Sequence, residues 1–169
     1  MVVRLKRVKE ERAKGLMLHI RSLAQAAVIS ALYIALTLAF APISFQQIQF
    51  RVANVIIGLT PIIGLPAVYG IAVGVLIANV VSPFGPLDML SSIPAFVGLL
   101  AIYYLRNTSV LAGLTIYSLI VSLWVSFLIS FVVHVSLLAT FAYVLTGIFL
   151  STTVAGYIVY KSARRILAK

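Results

Sequence analysis

The chain has 169 residues, 63% of them apolar and only 9% charged, against about 45–50% and 25% in soluble domains. So little charge cannot cover a water-soluble fold of this size, and the sequence reads as an all-α integral membrane protein with room for about six helices of some 20 residues. Thirteen Lys/Arg against three Asp/Glu give a net charge of +10, but the bases gather at the two ends of an apolar body, which argues against a nucleic-acid binder.

Residues 1–21 hold Arg4, Lys6, Arg7, Lys9, Arg12, Lys14 and Arg21 against Glu10 and Glu11. They form a basic cytoplasmic segment facing anionic lipid headgroups. The segment is too charged, and the apolar run after it too long, for a cleaved signal peptide. The membrane domain follows at 22–160. Residues 22–50 carry no formal charge, and Pro42 closes a first helix over about 22–40. A polar loop, APISFQQIQFR, occupies 41–51. Residues 52–87 are again uncharged but are broken by Pro61, Gly64 and Pro66. Two short helices are expected there, at about 50–62 and 66–81. The segment SPFGPLD (82–88) is a loop, and a fourth helix covers about 89–104. Arg106-Asn107-Thr108 makes a tight turn. Residues 107–160 then contain no Lys, Arg, Asp or Glu, enough for two helices at about 109–131 and 136–160, with a turn near His134. A basic tail, 161–169, carries Lys161, Arg164, Arg165 and Lys169.

The break at 61–66 decides the topology. With it, six transmembrane helices place both termini in the cytoplasm. The seven bases of 1–21, Arg106 and the four of the tail then lie inside, and Arg51 alone lies outside. The positive-inside rule favours this arrangement over five spans. The expected location is the plasma membrane, as a multi-pass protein.

Small residues recur every four positions on several helices. Ala27, Ala31, Ala35 and Ala39 mark the first, Gly70, Gly74 and Ala78 the third, and Gly147, Ser151 and Ala155 the sixth. Such stripes let another helix backbone approach closely. Packing within the bundle and a docking face for another membrane protein both fit the pattern. Ser118, Ser122, Ser126 and Ser130 form a fourth stripe, which is either packing glue or the polar wall of a cavity.

Polar residues converge on the outer face. Gln46, Gln47, Gln49, Arg51 and Asn54 surround the first outer loop, Asn79, Ser82 and Asp88 flank the second, and His134 sits at the third. Ionisable groups at membrane depth are costly and usually functional. Gln49, Arg51, Asn54, Asn79 and Asp88 are therefore the expected lining of a substrate site, with Trp124 as a candidate surface for stacking on a planar ligand. An Arg51–Asp88 structural bridge fits the same residues. The chain has no Cys, which excludes thiol chemistry. It has no GxxxxGK[ST] loop, HExxH or GxSxG, so neither its own ATP hydrolysis nor enzymatic activity is expected. No metal or cofactor is implied.

The segments APISFQQIQFRVAN (41–54) and NVVSPFGPLD (79–88) resemble the queuosine-precursor transporter family, QueT, whose members are substrate-binding (S) components of energy-coupling factor (ECF) transporters. The likeness covers about residues 24–106. It implies a six-helix S-component bundle that captures a 7-deazaguanine-like queuosine precursor at the outer face. It further implies docking, through Ala27, Ala31 and Ala35, on a transmembrane T component carrying two ATPase subunits. The family pattern often has an acidic residue where this chain has Asn54. A carboxylate only accepts hydrogen bonds, whereas an amide accepts and donates. Two alternatives stand beside this reading: an S component for another vitamin-like solute, and a structural subunit of a membrane complex. A stand-alone carrier is disfavoured, because the repeated acidic residues of a proton-coupled carrier are missing.

Overall fold

A computed structural model describes residues 2–44 and 49–168; among these, every regular element is helical. Gln46 and Gln47 lie outside the described residues. Helix α1 (Val2–Ala39) runs unbroken for 38 residues. The expected first helix thus extends back through the basic segment, whose Lys, Arg, Glu and Leu are good helix formers and which contains no proline. A short helical turn, α2 (Ala41–Ser44), carries Pro42.

The broken region follows the expected pattern with tighter geometry. A 3-10 stretch, Val52–Leu59, leads into α3 (Thr60–Ile63), where Pro61 sits in the first turn, the position that spares its missing N–H. Gly64 then turns the chain with φ 81°, in the left-handed region that a side chain disfavours. Helix α4 (Leu65–Ala78) continues as a 3-10 turn, Asn79–Val81. A further 3-10 segment, Gly85–Ser91, opens α5 (Ser92–Leu105). Ser109 caps α6 (Val110–Val133), its hydroxyl accepting from the Ala112 N–H at 3.2 Å. The helix ends on His134, itself left-handed at φ 56°. The last rod comprises α7 (Leu137–Ile148), a π-helical segment (Phe149–Ala155) and α8 (Gly156–Leu167). It therefore continues past the expected end at 160 into the basic tail.

Four of these helices are long and apolar enough to cross a bilayer: Gly15–Ala39, Gly85–Leu105, Val110–Val133 and Leu137–Leu167. The segments Val52–Ile63 and Leu65–Val81 are apolar but shorter. At 2.0 Å per 3-10 residue and 1.5 Å per α residue they reach roughly 22 and 27 Å, below the ~30 Å hydrocarbon core.

The polarity of the bundle is inverted relative to a soluble protein. Leu23, Leu138, Phe131 and Ile158 are exposed, while Thr37, Ser118, Ser122, Ser126, Thr152 and Thr153 are buried. An apolar surface on this scale is stable only against lipid. Close helix approaches rest on glycines. A Cβ on Gly70 would fall 2.5 Å from the Ala26 carbonyl oxygen, and one on Gly58 would overlap the Gly156 carbonyl. The Gly70/Gly74/Ala78 stripe is thus consumed by packing of α4 on α1, and Gly147 and Ser151 are also buried. The alanine stripe differs. Ala27, Ala31, Ala35 and Ala39 are all exposed, while Ile29, Ser30, Tyr33 and Thr37 on the other side of the same helix are buried.

Loop residues distant in sequence meet at two places. Gly64 lies against Arg106, whose guanidinium sits 4.1 Å from the Tyr103 ring centroid. Arg51 lies against Asp88.

Candidate solute site

The second of these meetings is the centre of a buried polar cluster. The stretch entering the 3-10 helix supplies Gln49, Arg51 and Asn54. The segment Gly85–Ser91 supplies Asp88 and Ser91, and α1 and α6 supply Tyr33 and Tyr117. All are buried: Arg51 is 6% exposed, Asp88 2% and Gln49 1%.

Arg51 Nη2 lies 3.7 Å from Asp88 Oδ2, an ion pair longer than a hydrogen bond. The other carboxylate oxygen, Asp88 Oδ1, accepts from the Ser91 hydroxyl at 2.7 Å. Ser91 Oγ in turn accepts from the Trp124 indole N–H at 3.0 Å. Asn79 Nδ2 donates to the Asp88 main-chain carbonyl at 2.8 Å, fixing the backbone of that segment. On the opposite side, the Tyr33 hydroxyl donates to Asn54 Oδ1 at 2.8 Å. A buried charge pair in a membrane-spanning bundle needs such support, since each unsatisfied polar group is costly away from water. Some atoms remain without a hydrogen-bond partner among the described residues: both amide atoms of Gln49, Asn79 Oδ1 and Asp88 Oδ2.

These groups surround a small cavity of about 10 Å³, lined by Gln49, Arg51, Asn54, Ser91 and Tyr117 and closed by Val75, Ala95, Val121, Val125 and Ile148. That volume holds about one water molecule. Three of the six expected substrate-site residues, Gln49, Arg51 and Asn54, face the cavity. Asp88 stands behind Ser91, and Asn79 holds Asp88 in place. Trp124 does not line the cavity. Its N–H is tied to Ser91, and its ring lies 6.3 Å from Phe127, beside an apolar surface recess with Leu87, Leu90 and Phe131. His134 is exposed at its helix end, apart from the cluster. The serine stripe faces inward without forming the cavity wall. Ser118 shares a hydrogen bond with Thr153 at 2.9 Å, and Ser126 bonds back to the Ser122 carbonyl at 2.6 Å. Val121 and Val125, on the adjacent face of α6, line the cavity instead.

Tyr33, Ser91 and Tyr117 belong to the cluster but escape a reading of loops and charges. Tyr33 carried a signal: with Ser30 and Thr37 it forms a polar edge on an otherwise apolar helix.

The family model described as QueT transporter matches residues 23–165. The chain belongs to the QueT transporter family. No curated protein and no solved structure matches it. The QueT match runs well past residue 106, where the likeness of the loop signatures ends, so the apolar last third is also QueT-like. A QueT transporter is a multi-pass membrane protein that moves a small molecule rather than transforming it. The inverted polarity of the bundle and its internal polar cluster agree with that role.

Proposed function

We propose that this QueT-family protein is the substrate-binding S component of an ECF importer. It captures a queuosine precursor, a 7-deazaguanine-like base, at the outer face and delivers it inward with a T component and two ATPase subunits. The observation that carries the reading is the buried cluster in a chain of this family: Gln49, Arg51 and Asn54 line a small cavity, and Asp88 pairs with Arg51 beside it. A scaffold subunit gains nothing from polar groups so costly to bury. The sequence also lacks a phosphate-binding loop, so energy for transport comes from a partner.

The solute's chemistry suits the groups present. A 7-deazaguanine presents a carbonyl acceptor beside ring N–H and amino donors. Arg51 donates to the carbonyl, and Asp88 Oδ2 accepts from the donors. A space for one water is too small for a bicyclic base, so binding widens the site by parting the 49–51 segment from α5 and α6. The exposed Ala27, Ala31 and Ala35 form the docking face for the T component, since small residues permit close backbone contact.

In the plasma membrane the helical segments make six crossings with both termini cytoplasmic. The two shorter segments span by drawing on local bilayer thinning. Reporter fusions at the two ends are expected to report the cytoplasm at both; opposite sides would leave an odd number of crossings and end the six-span arrangement. The function itself is tested by purifying the protein in detergent and identifying any co-purifying small molecule by mass spectrometry. A 7-deazapurine supports the reading, and a chemically unrelated solute overturns the assignment of substrate.

A further inference from the structure

Of the three amides in the cluster, two are partly used by the protein. Asn54 Oδ1 accepts from Tyr33, and Asn79 Nδ2 donates to the Asp88 carbonyl. Gln49 spends neither of its atoms. Its Oε1 and Nε2 are both buried without a hydrogen-bond partner among the described residues, the side chain lines the cavity, and the residue is 1% exposed. Its backbone is also left-handed, with φ 46°, a conformation that costs a non-glycine residue energy and that concentrates at functional sites. A buried, unpaired carboxamide on a strained backbone destabilises the protein twice over. A ligand that pairs with both amide atoms removes the larger of these costs.

We propose that Gln49 is the specificity-determining residue, reading an edge of the solute on which one donor stands next to one acceptor. The inference rests on the functional reading above and sharpens it. A carboxamide holds an N–H donor and a carbonyl acceptor on one planar carbon. The complementary edge is a lactam, H–N–C=O, or an amidine, N=C–NH2; on a 7-deazaguanine whose carbonyl and ring N–H are taken by Arg51 and Asp88, Gln49 is left the amidine edge, ring N3 beside the amino group. An edge with two acceptors, such as a carboxylate, leaves one amide atom unpaired. Arg51 and Asp88 offset each other's charge across 3.7 Å, so the site carries no net charge to attract an ion. The solute class is therefore an uncharged planar heterocycle with a paired edge, and Gln49 rejects rings that lack that edge by being left unpaired.

The test is a cycle of two ligands and two proteins, read by titration of the purified full chain in detergent. One ligand is 7-deazaguanine. The other is 3,7-dideazaguanine, in which a C–H replaces ring N3, so the edge facing Gln49 loses its acceptor while the carbonyl, ring N–H and amino group offered to Arg51 and Asp88 are kept. The two ligands are nearly the same size. The unsubstituted protein is expected to bind the first about 5- to 30-fold more tightly, the effect of one neutral hydrogen bond and of the amide donor left unpaired. In Gln49→Leu, affinity for 7-deazaguanine falls by at least that factor and the gap between the ligands closes. Without ligand, the thermal midpoint of Gln49→Leu stays level or rises, because an unpaired buried amide has been removed. Gln49→Met, which keeps the side-chain length, is expected to behave alike. A gap that persists in both variants, or a ligand-free midpoint that drops in both, overturns the role of Gln49 while leaving the 7-deazaguanine reading intact. An unsubstituted protein that binds neither base overturns the solute reading and this inference together.

Discussion

Asp88→Asn is expected to weaken binding of 7-deazaguanine by about 10- to 150-fold, the loss of one hydrogen bond to a charged acceptor at about 1.5–3 kcal/mol. The same substitution should lower the ligand-free thermal midpoint. Asp88 faces Arg51 at 3.7 Å and both side chains are almost fully buried. Removing one member of such a pair leaves an uncompensated charge in a low-dielectric interior, at a cost of about 3–5 kcal/mol. For a chain of this size that corresponds to a drop of roughly 6–20 °C. Arg51→Met should lower the midpoint by a similar amount, leaving Asp88 as the isolated charge. The double variant Arg51→Met/Asp88→Asn buries no charge at all and should regain most of the stability without regaining affinity. That split separates the two roles of the pair. A midpoint unmoved by Asp88→Asn would deny the bridge, and an unmoved affinity would remove Asp88 from the site.

Ala31→Trp should abolish co-purification with the T component while leaving solute affinity and thermal midpoint close to their original values. The reason lies in the two sides of α1. Tyr33 and Thr37 are fully buried, and Tyr33 reaches Asn54. Ala27, Ala31 and Ala35 face outward. An indole at position 31 therefore meets lipid rather than the bundle, yet holds any partner helix several ångströms away. Gly70→Leu provides the contrast. It acts on the buried stripe, where even a Cβ meets the Ala26 carbonyl oxygen at 2.5 Å, and should cost stability before it affects docking. Retention of the T component by Ala31→Trp would place the docking face elsewhere.

These two stripes also show how far the sequence could be read. Ala27/Ala31/Ala35 and Gly70/Gly74/Ala78 have the same spacing and similar chemistry. Which one is spent inside the bundle depends on how α1 and α4 face each other, and no local pattern records that. The breaks at Pro61, Gly64 and Pro66 were legible because proline and glycine act on the backbone they belong to. So was the meeting of Arg51 with Asp88, since lone opposite charges in an apolar phase have few other partners. Trp124 was harder. A lone Trp in the sequence is a candidate stacking surface, but the direction of its ring is set by the Ser91 hydroxyl, from a segment more than thirty residues away. The 3-10 character of Val52–Leu59 and the π-helical turn at Phe149–Ala155 likewise have no evident signal, because they accommodate packing between distant helices, such as Gly58 on Gly156.

The central claim is that this QueT-family chain supplies substrate recognition to an importer energised by another module. Uptake of radiolabelled 7-deazaguanine should be measured in cells expressing the chain alone, the T component with its ATPase subunits alone, and both together. Accumulation is expected only when all components are present, and it should disappear when the ATPase subunits are inactivated. Concentrative uptake by the chain alone, or uptake by the energising module without it, would contradict the account.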